Sequence, residues 1–290
     1  MNLLITGANG QLGNEMRVLA PQHPEHNYFF TDIAELDITD KQAVKTFVQE
    51  NRIEAIVNCA AYTNVDRAEE DETTAYRINA EAPQILGEAA QQAGALLIHI
   101  STDYVFNGNA CLPYRESDSP APNTAYGRTK LAGEQLLLEA CPSALIIRTA
   151  WLYSSFGNNF VKTMLRLAKE RNTLSVVYDQ IGTPTYAADL AQAIYTILPQ
   201  LRNNNTTSPR IFHFTNEGVC SWFDFTKEIL HQAKLTTEVL PIRSEQYQYR
   251  TPRPHYSVLD KQKIKDTFAV KVPYWTESLS RCLQILLNEQ

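Results

Sequence analysis

The sequence predicts an α/β fold, a doubly wound parallel sheet with helices on both faces followed by a smaller α/β lobe. Three observations carry that expectation. Short apolar runs alternate with longer amphipathic ones across residues 1–150, glycines at three-residue spacing join the first such pair, and the alternation loosens beyond about Trp151. Strand, helix and strand in repeated succession make a parallel sheet, because each helix must carry the chain back to the same end of the sheet and cover its face on the way.

Taken in order, residues 2–6, 27–32, 55–58, 96–101 and 144–149 read as strands, being short, apolar and bounded by turn residues or helices. Residues 11–19, 41–51, 75–93 and 126–140 carry apolar side chains at three- and four-residue spacing, as helices packed on a sheet must. In the second lobe the same signals place helices at 158–170 and 187–198, a strand at 174–177 and an extended stretch at 210–215. Ser221, followed by Asp224 and then by Phe225, Ile229 and Leu230, has the pattern of a capped helix start, and 277–287 reads as a final helix. The polar run 203–208 reads as a surface loop, and 107–124, with three prolines, as a long loop. The boundary between a first domain, 1–150, and a second lobe, 151–290, is expected to be crossed by some later segments that return to the first domain.

Composition narrows the function. With 44% hydrophobic and 20% charged residues among 290, the chain can bury a large core and has neither a disordered nor a fibrous composition. A formal net charge of -6 argues against a surface built to neutralise a phosphate backbone, so no nucleic-acid partner is expected. The five cysteines, Cys59, Cys111, Cys141, Cys220 and Cys282, are scattered and never in C-x-x-C spacing, which points to reduced thiols in a cytoplasm. The first apolar run ends at Gly7, too early for a signal peptide, and no run of about 18 apolar residues suits a membrane span. His99, His213 and His255 lack ligand spacing, so they read as structural histidines and no metal is expected.

The first strand-to-helix turn reads Thr6-Gly7-Ala8-Asn9-Gly10-Gln11-Leu12-Gly13. Glycines there allow a tight turn, close approach of backbone N–H groups to phosphate oxygens and close packing of the helix, whose N-terminus adds partial positive charge. Asp32 ends the second strand about 20 residues on, where a carboxylate accepts from an adenosine ribose; otherwise it is a solvated turn residue. Such a carboxylate disfavours a 2′-phosphate, while Arg17 in the first helix offsets it, so NADPH and NADH both stay open as coenzymes.

Tyr126 and Lys130 lie four apart at the start of a helix and so share one face. A phenol titrates near 10 and is a slow acid at neutral pH; an ammonium beside it favours the phenolate and tunes it for proton transfer. Taken singly, Tyr-x-x-x-Lys is common by chance. Here it follows Ser101-Thr102-Asp103 at a strand end, where an open parallel sheet presents groups to a ligand.

The glycine turn, Asn58-Cys59-Ala60-Ala61-Tyr62-Thr63, the strand-end Ser101-Thr102-Asp103 and the Tyr126/Lys130 pair together resemble the extended short-chain dehydrogenases/reductases. More narrowly, Gly10-Gln11-Leu12-Gly13, Ala61-Tyr62-Thr63-Asn64-Val65-Asp66, Ser101-Thr102-Asp103-Tyr104-Val105-Phe106, Arg148-Thr149-Ala150-Trp151 and Arg253-Pro254-His255-Tyr256-Ser257 resemble the dTDP-4-dehydrorhamnose reductase family, over nearly the whole chain. The resemblance implies a Rossmann-type fold, NADPH or NADH as coenzyme, and reduction of dTDP-4-dehydro-L-rhamnose to dTDP-L-rhamnose for cell-surface polysaccharide. It implies Tyr126 as proton donor, Lys130 as its partner, and Thr102 as a hydroxyl for the substrate carbonyl. Gly7, Gly10, Gln11, Leu12, Gly13, Asp32, Asp37, Ile38, Ala61, Tyr62 and Thr63 would then surround the coenzyme, with Tyr126 and Lys130. Thr102, Asp103, Trp151, Val65, Asp66 and Arg253 would meet the sugar nucleotide, although Trp151 also suits a core and Arg253 a plain surface loop. The resemblance allows a homodimer. Some members hold magnesium at a dimer contact through glutamates; Glu15 is present, but Ala188 stands at another such position, and the metal is not carried over.

Related 4,6-dehydratases follow the strand-end Thr with Asp-Glu; here Thr102-Asp103 is followed by Tyr104, so the elimination catalyst is missing while ketone reduction lacks nothing. An epimerase, a reductase of another dTDP-4-dehydro-6-deoxyhexose, and a non-catalytic regulatory subunit resembling the methionine adenosyltransferase β subunit stay open.

Overall fold

Leu3 and Ile5 point to one face of the first strand and Leu4 to the other, and all three are fully buried. A strand apolar on both faces belongs inside a covered sheet. The computed structural model, which describes residues 1–201, 210–248 and 250–288, places it there. β1 (Asn2–Thr6) is followed by α1 (Gln11–Leu19), β2 (Asn27–Thr31), α2 (Lys41–Glu50), β3 (Ala55–Asn58), α3 (Val65–Glu70), α4 (Glu72–Tyr76), α5 (Ala82–Ala93), β4 (Leu96–Thr102), α6 (Ala125–Ala140) and β5 (Leu145–Thr149). The strands pair in parallel in the spatial order β2-β1-β3-β4-β5, and a late strand, Ile211–His213, extends the sheet beside β5. The chain runs outward from β1 to β2 and then crosses back to β3. The carboxyl ends of β1 and β3 diverge at this reversal, where open parallel sheets take their ligands.

Beyond β5 come β6 (Leu152–Tyr153), α7 (Phe160–Glu170), β7 (Thr173–Val177), β8 (Ile181–Gly182), β9 (Thr185–Tyr186), α8 (Ala187–Leu201), β10 (Ile211–His213), β11 (Cys220–Ser221), α9 (Trp222–Gln232), β12 (Glu238–Ile242), α10 (Gln262–Phe268) and α11 (Trp275–Asn288). Two cores divide them. Leu190 and Ile194 of α8, Phe212 of β10, and Ile264 and Phe268 of α10 pack with Leu12 and Met16 of α1 on one face of the main sheet. Val44 of α2, Leu86 of α5 and Leu137 of α6 cover the other face. α7, α9 and α11 enclose the second core, with Val161, Phe225, Ile229 and Leu279 at its centre. α9 starts on the expected capping box: Ser221 Oγ accepts the Asp224 N–H at 3.0 Å and Asp224 Oδ2 accepts the Ser221 N–H at 2.9 Å.

Several elements differ from expectation. The single helix expected over 75–93 is α4, a wider π turn at Arg77–Glu81, and α5. Inside that turn, buried Asn79 accepts the Tyr62 N–H at 2.8 Å and donates to the Tyr62 carbonyl at 3.1 Å and the Thr129 hydroxyl at 3.2 Å. π turns of this kind recur at functional sites, and this one holds the loop after β3. α3, capped by the Asn64 side chain accepting from Arg67 N–H at 3.0 Å, and β12 and α10 carry signals too short to stand out in the sequence. Asp32 lies one residue past β2, and Thr102 is the last residue of β4. The polar run 203–208 lies outside the described residues. Among those described, no helix is long and apolar enough to cross a membrane.

Candidate active site

A cleft of about 710 Å³ opens at the reversal point, walled by the β1–α1 turn, the β3 and β4 ends, α6 and the start of the second lobe. Gly7 has φ +64, and a Cβ there would fall 2.6 Å from Ala60 N, so only glycine lets the turn lie against the loop after β3. At Gly13 a Cβ would sit 2.6 Å from the Gly7 carbonyl oxygen. Gly13 thus seats α1 on the turn rather than facing the cleft. α1 begins at Gly10 with no side-chain cap and no acidic residue in its first turn, leaving its leading N–H groups for an anion. Gly7, Gly10, Gln11 and Leu12 line the cleft here. At β2, Asp32 accepts the N–H groups of Asn9 at 3.1 Å and Ile33 at 2.9 Å, which fixes its carboxylate at the cleft wall. This glycine cradle, uncapped helix and carboxylate fit a nicotinamide dinucleotide. Arg17 instead donates to Asn14 at 3.1 Å and stacks over Phe30.

Further along the wall, Asp37 accepts the Thr39 N–H at 2.9 Å and hydroxyl at 2.7 Å. Those bonds, above all the hydroxyl, hold its carboxyl below the usual range. Ile38, Ala61 and Thr63 also line the cleft. Tyr62 contributes its backbone to Asn79, while its ring packs beside Ala125 and Tyr126. The sequence reading missed Leu36, Thr39 and Arg77 on this wall and Leu152 and Asn158 from the second lobe; the Asp37-Ile38-Thr39 turn pattern was the one local signal available.

Thr124 caps α6 by accepting the Gly127 N–H at 3.0 Å, which sets the first turn of the helix against β4. Tyr126 and Lys130 then face the same cleft as Thr102 and Asp103. Burial pushes the Tyr126 phenol up to about 12, with a bond to Thr102 acting in the opposite direction, so the group is a neutral proton carrier at neutral pH. Burial pushes Lys130 down to about 8; its amine donates to the Ile100 carbonyl at 2.8 Å and lies 3.3 Å from His99 Nε2. Thr102 Oγ1 donates to Asp103 Oδ1 at 2.9 Å and accepts the Tyr104 N–H at 3.2 Å. Asp103 is itself pushed up to about 7, chiefly by burial.

Trp151 lines the cleft with its backbone in the left-handed region, φ 49. Its indole stacks on Trp222 with centroids 3.5 Å apart and planes 9° from parallel. It also rests on Gly182, where a Cβ would fall 2.6 Å from the ring. Val65 is on the wall too. Asp66 and Arg253 pair with each other at 2.9 Å and sit outside the cleft lining. Glu15, buried, accepts the Ser154 hydroxyl at 2.6 Å, and burial raises its carboxyl.

The family model described as the RmlD substrate binding domain matches residues 1–288. The chain belongs to the RmlD family. A curated RmlD relative, the dTDP-4-dehydrorhamnose reductase of Aggregatibacter actinomycetemcomitans, is 41% identical, with 96% of each chain covered. Among solved RmlD structures, a dTDP-4-dehydrorhamnose reductase from Clostridium acetobutylicum superposes with a TM-score of 0.93 at 41% identity, covering 99% of this chain and 100% of the other. The Bacillus anthracis dTDP-4-dehydrorhamnose reductase, solved in complex with NADP, gives a TM-score of 0.90 at 42% identity, covering 98% and 100%. The chain is thus an oxidoreductase with the Rossmann-like α/β architecture of the RmlD family.

Proposed function

We propose that this chain reduces the C4 ketone of dTDP-4-dehydro-L-rhamnose to the alcohol of dTDP-L-rhamnose, using NADPH or NADH, in the cytoplasmic supply of surface-polysaccharide precursors. The observation that carries the reading is the meeting of Thr102, Tyr126 and Lys130 in the one cleft that also holds the glycine cradle.

The residues present would hold the dinucleotide along Gly7 to Leu12, Asp32 and Ala61 to Thr63, with Lys130 at the ribose. When bound, the reduced nicotinamide supplies the hydride equivalent that the carbonyl carbon accepts. Tyr126 gives its proton to the carbonyl oxygen as negative charge gathers there, so one C–H and one O–H bond replace the carbonyl π bond. Burial holds the phenol neutral until that charge forms, and the Lys130 ammonium then stabilises the tyrosinate. Thr102 has one hydrogen, now given to Asp103. Once Asp103 is protonated it can donate to Thr102 instead, freeing that hydrogen for the substrate oxygen. Trp151 and Val65 would wall the sugar nucleotide, and the Asp66–Arg253 pair would border it from outside the cleft lining. A homodimer belongs to the same reading and is checked by light scattering.

Purified protein incubated with enzymatically generated dTDP-4-dehydrorhamnose and either coenzyme should consume nicotinamide absorbance and form dTDP-rhamnose. No turnover with NADPH or NADH rejects the assignment.

A further inference from the structure

Behind the cleft, a row of polar side chains crosses three neighbouring strands. Thr6, Asn58 and His99 are register partners on β1, β3 and β4, and each is at most 1% exposed. Thr6 Oγ1 donates to Asn58 Oδ1 at 2.8 Å, and the same oxygen accepts the Ala60 N–H at 3.1 Å. Asn58 Nδ2 lies 3.0 Å from His99 Nδ1, and His99 Nε2 lies 3.3 Å from Lys130 Nζ.

Donor counting fixes the state of this row. A backbone N–H can only donate, so the atom of Asn58 facing Ala60 is its oxygen and the atom facing His99 is its NH₂ group. That group only donates as well, so His99 Nδ1 keeps its lone pair and the ring proton sits on Nε2. Burial keeps the imidazole neutral. His99 therefore points an N–H at Lys130. An ammonium has no lone pair to receive it, whereas a neutral amine accepts from His99 and still donates to the Ile100 carbonyl.

We propose that His99 is a positioning residue that ties the charge of Lys130 to its place: neutral when drawn back against His99, charged when it reaches forward into the cleft toward the coenzyme ribose and Tyr126. The inference rests on the reading of Lys130 as a coenzyme contact. The other groups around the amine do not supply a competing acceptor. Glu134, one turn along α6, is engaged by Arg148 at 2.9 and 2.6 Å and by Ser101 at 2.5 Å. Cys59, at the β3 end, is held as a thiol, pushed up to about 12 by burial. Asp103, at the β4 end, is bonded to the Thr102 hydroxyl at 2.9 Å and is pushed up to about 7 by burial, and Tyr126 is pushed up to about 12.

Coenzyme binding should then take up a proton at alkaline pH. Calorimetric titration of NADH into the protein at pH 9, in buffers of different ionisation enthalpy, should give an uptake of roughly half a proton or more, and the NADH Kd should weaken as pH rises above about 8. Lys130→Met should abolish the uptake. His99→Gln, which places a carbonyl where Nε2–H stood, and His99→Asn, which keeps the Asn58 bond but removes the Nε2 donor, should each lower the uptake at pH 9 at least twofold and move the weakening to higher pH. NADH binding to the unaltered protein without proton uptake overturns the inference while leaving the dinucleotide site intact. Uptake unchanged in both folded His99 variants overturns it too, and failure to bind either NADH or NADPH rejects the site along with it.

Discussion

On the proposed reading Tyr126 supplies the proton, while Thr102, whose hydrogen goes to Asp103 in the free protein, adds a hydrogen bond and Lys130 a charge. Tyr126→Phe should therefore cut kcat by roughly 10²–10⁴-fold with the NADH Kd within about twofold of normal; steady-state kinetics and fluorescence titration measure both, and near-normal turnover refutes the proton donor. Asp103 gives a pH prediction. Its folded pKa, near 7, is above the unfolded value of about 3.9, so the folded state binds more protons in that window. Its contribution to stability is complete below about pH 4 and is lost as pH rises through 7. Asp103→Asn should remove that loss, gaining on the parent by up to about 1.4 kcal/mol per pH unit between pH 5 and 7 in chemical denaturation; a constant difference across that range contradicts the buried-acid assignment. At this scale Tyr126, Lys130 and Thr102 were legible because four-residue helical spacing and a strand end suffice to place them. His99 reads as a structural histidine and is one in being buried and bonded to Asn58; its approach to Lys130 depends on the register of three strands, which local pattern does not reveal. The Asp66–Arg253 pair joins positions 187 apart in sequence, which local pattern cannot reach.

At the scale of elements, α6 brings Tyr126 and Lys130 to the cleft and is seated by one small residue. A Cβ at Gly133 would fall 2.0 Å from the Asn79 carbonyl oxygen in the π turn. Gly133→Ala should push α6 from the turn, costing about 1–3 kcal/mol by overpacking, and should weaken NADH binding because Asn79 holds the Tyr62 loop. Urea denaturation with coenzyme titration tests this, and a variant within about 0.5 kcal/mol of the parent would show that the contact relaxes freely. The sheet strands were legible for a simple reason: Leu3, Leu4 and Ile5, or Ile56 and Val57, are apolar on both faces, as only strands between two helix layers need to be. The break of 75–93 into three pieces was not, since its cause, the grip of Asn79 on Tyr62 and the approach of Gly133, lies in other elements. Two-residue strands such as β6 and β9 exist only through each other and leave no pattern of their own.

Across the whole molecule, the two cores are laced together. Gln11 of α1 accepts from Asn159 at the head of α7 at 3.0 Å, and Asp189 of α8 accepts from Asn216 at 2.7 Å and from Ser278 and Arg281 at 2.5 Å each. One cooperative thermal transition is expected, moved upward as a unit by NADH and worth about 2.7 kcal/mol at one hundred times Kd; calorimetric traces that split when coenzyme is added would contradict this coupling. The first core was legible from alternation, whereas the return of α8, β10 and α10 to it could be anticipated only in outline. One consequence lies at the seam. The backbone of Trp151 occupies a conformation, φ 49, that costs an L-residue roughly 1–2 kcal/mol, and its carbonyl accepts the Thr185 N–H at 3.1 Å. It is wedged from behind, between Trp222 at the head of α9 and the bare Cα of Gly182. The shape of the cleft wall is thus under leverage from outside it: a smaller residue at 222 or a larger one at 182 would shift the indole and, on the proposed reading, alter which hexose fits without touching Thr102, Tyr126 or Lys130.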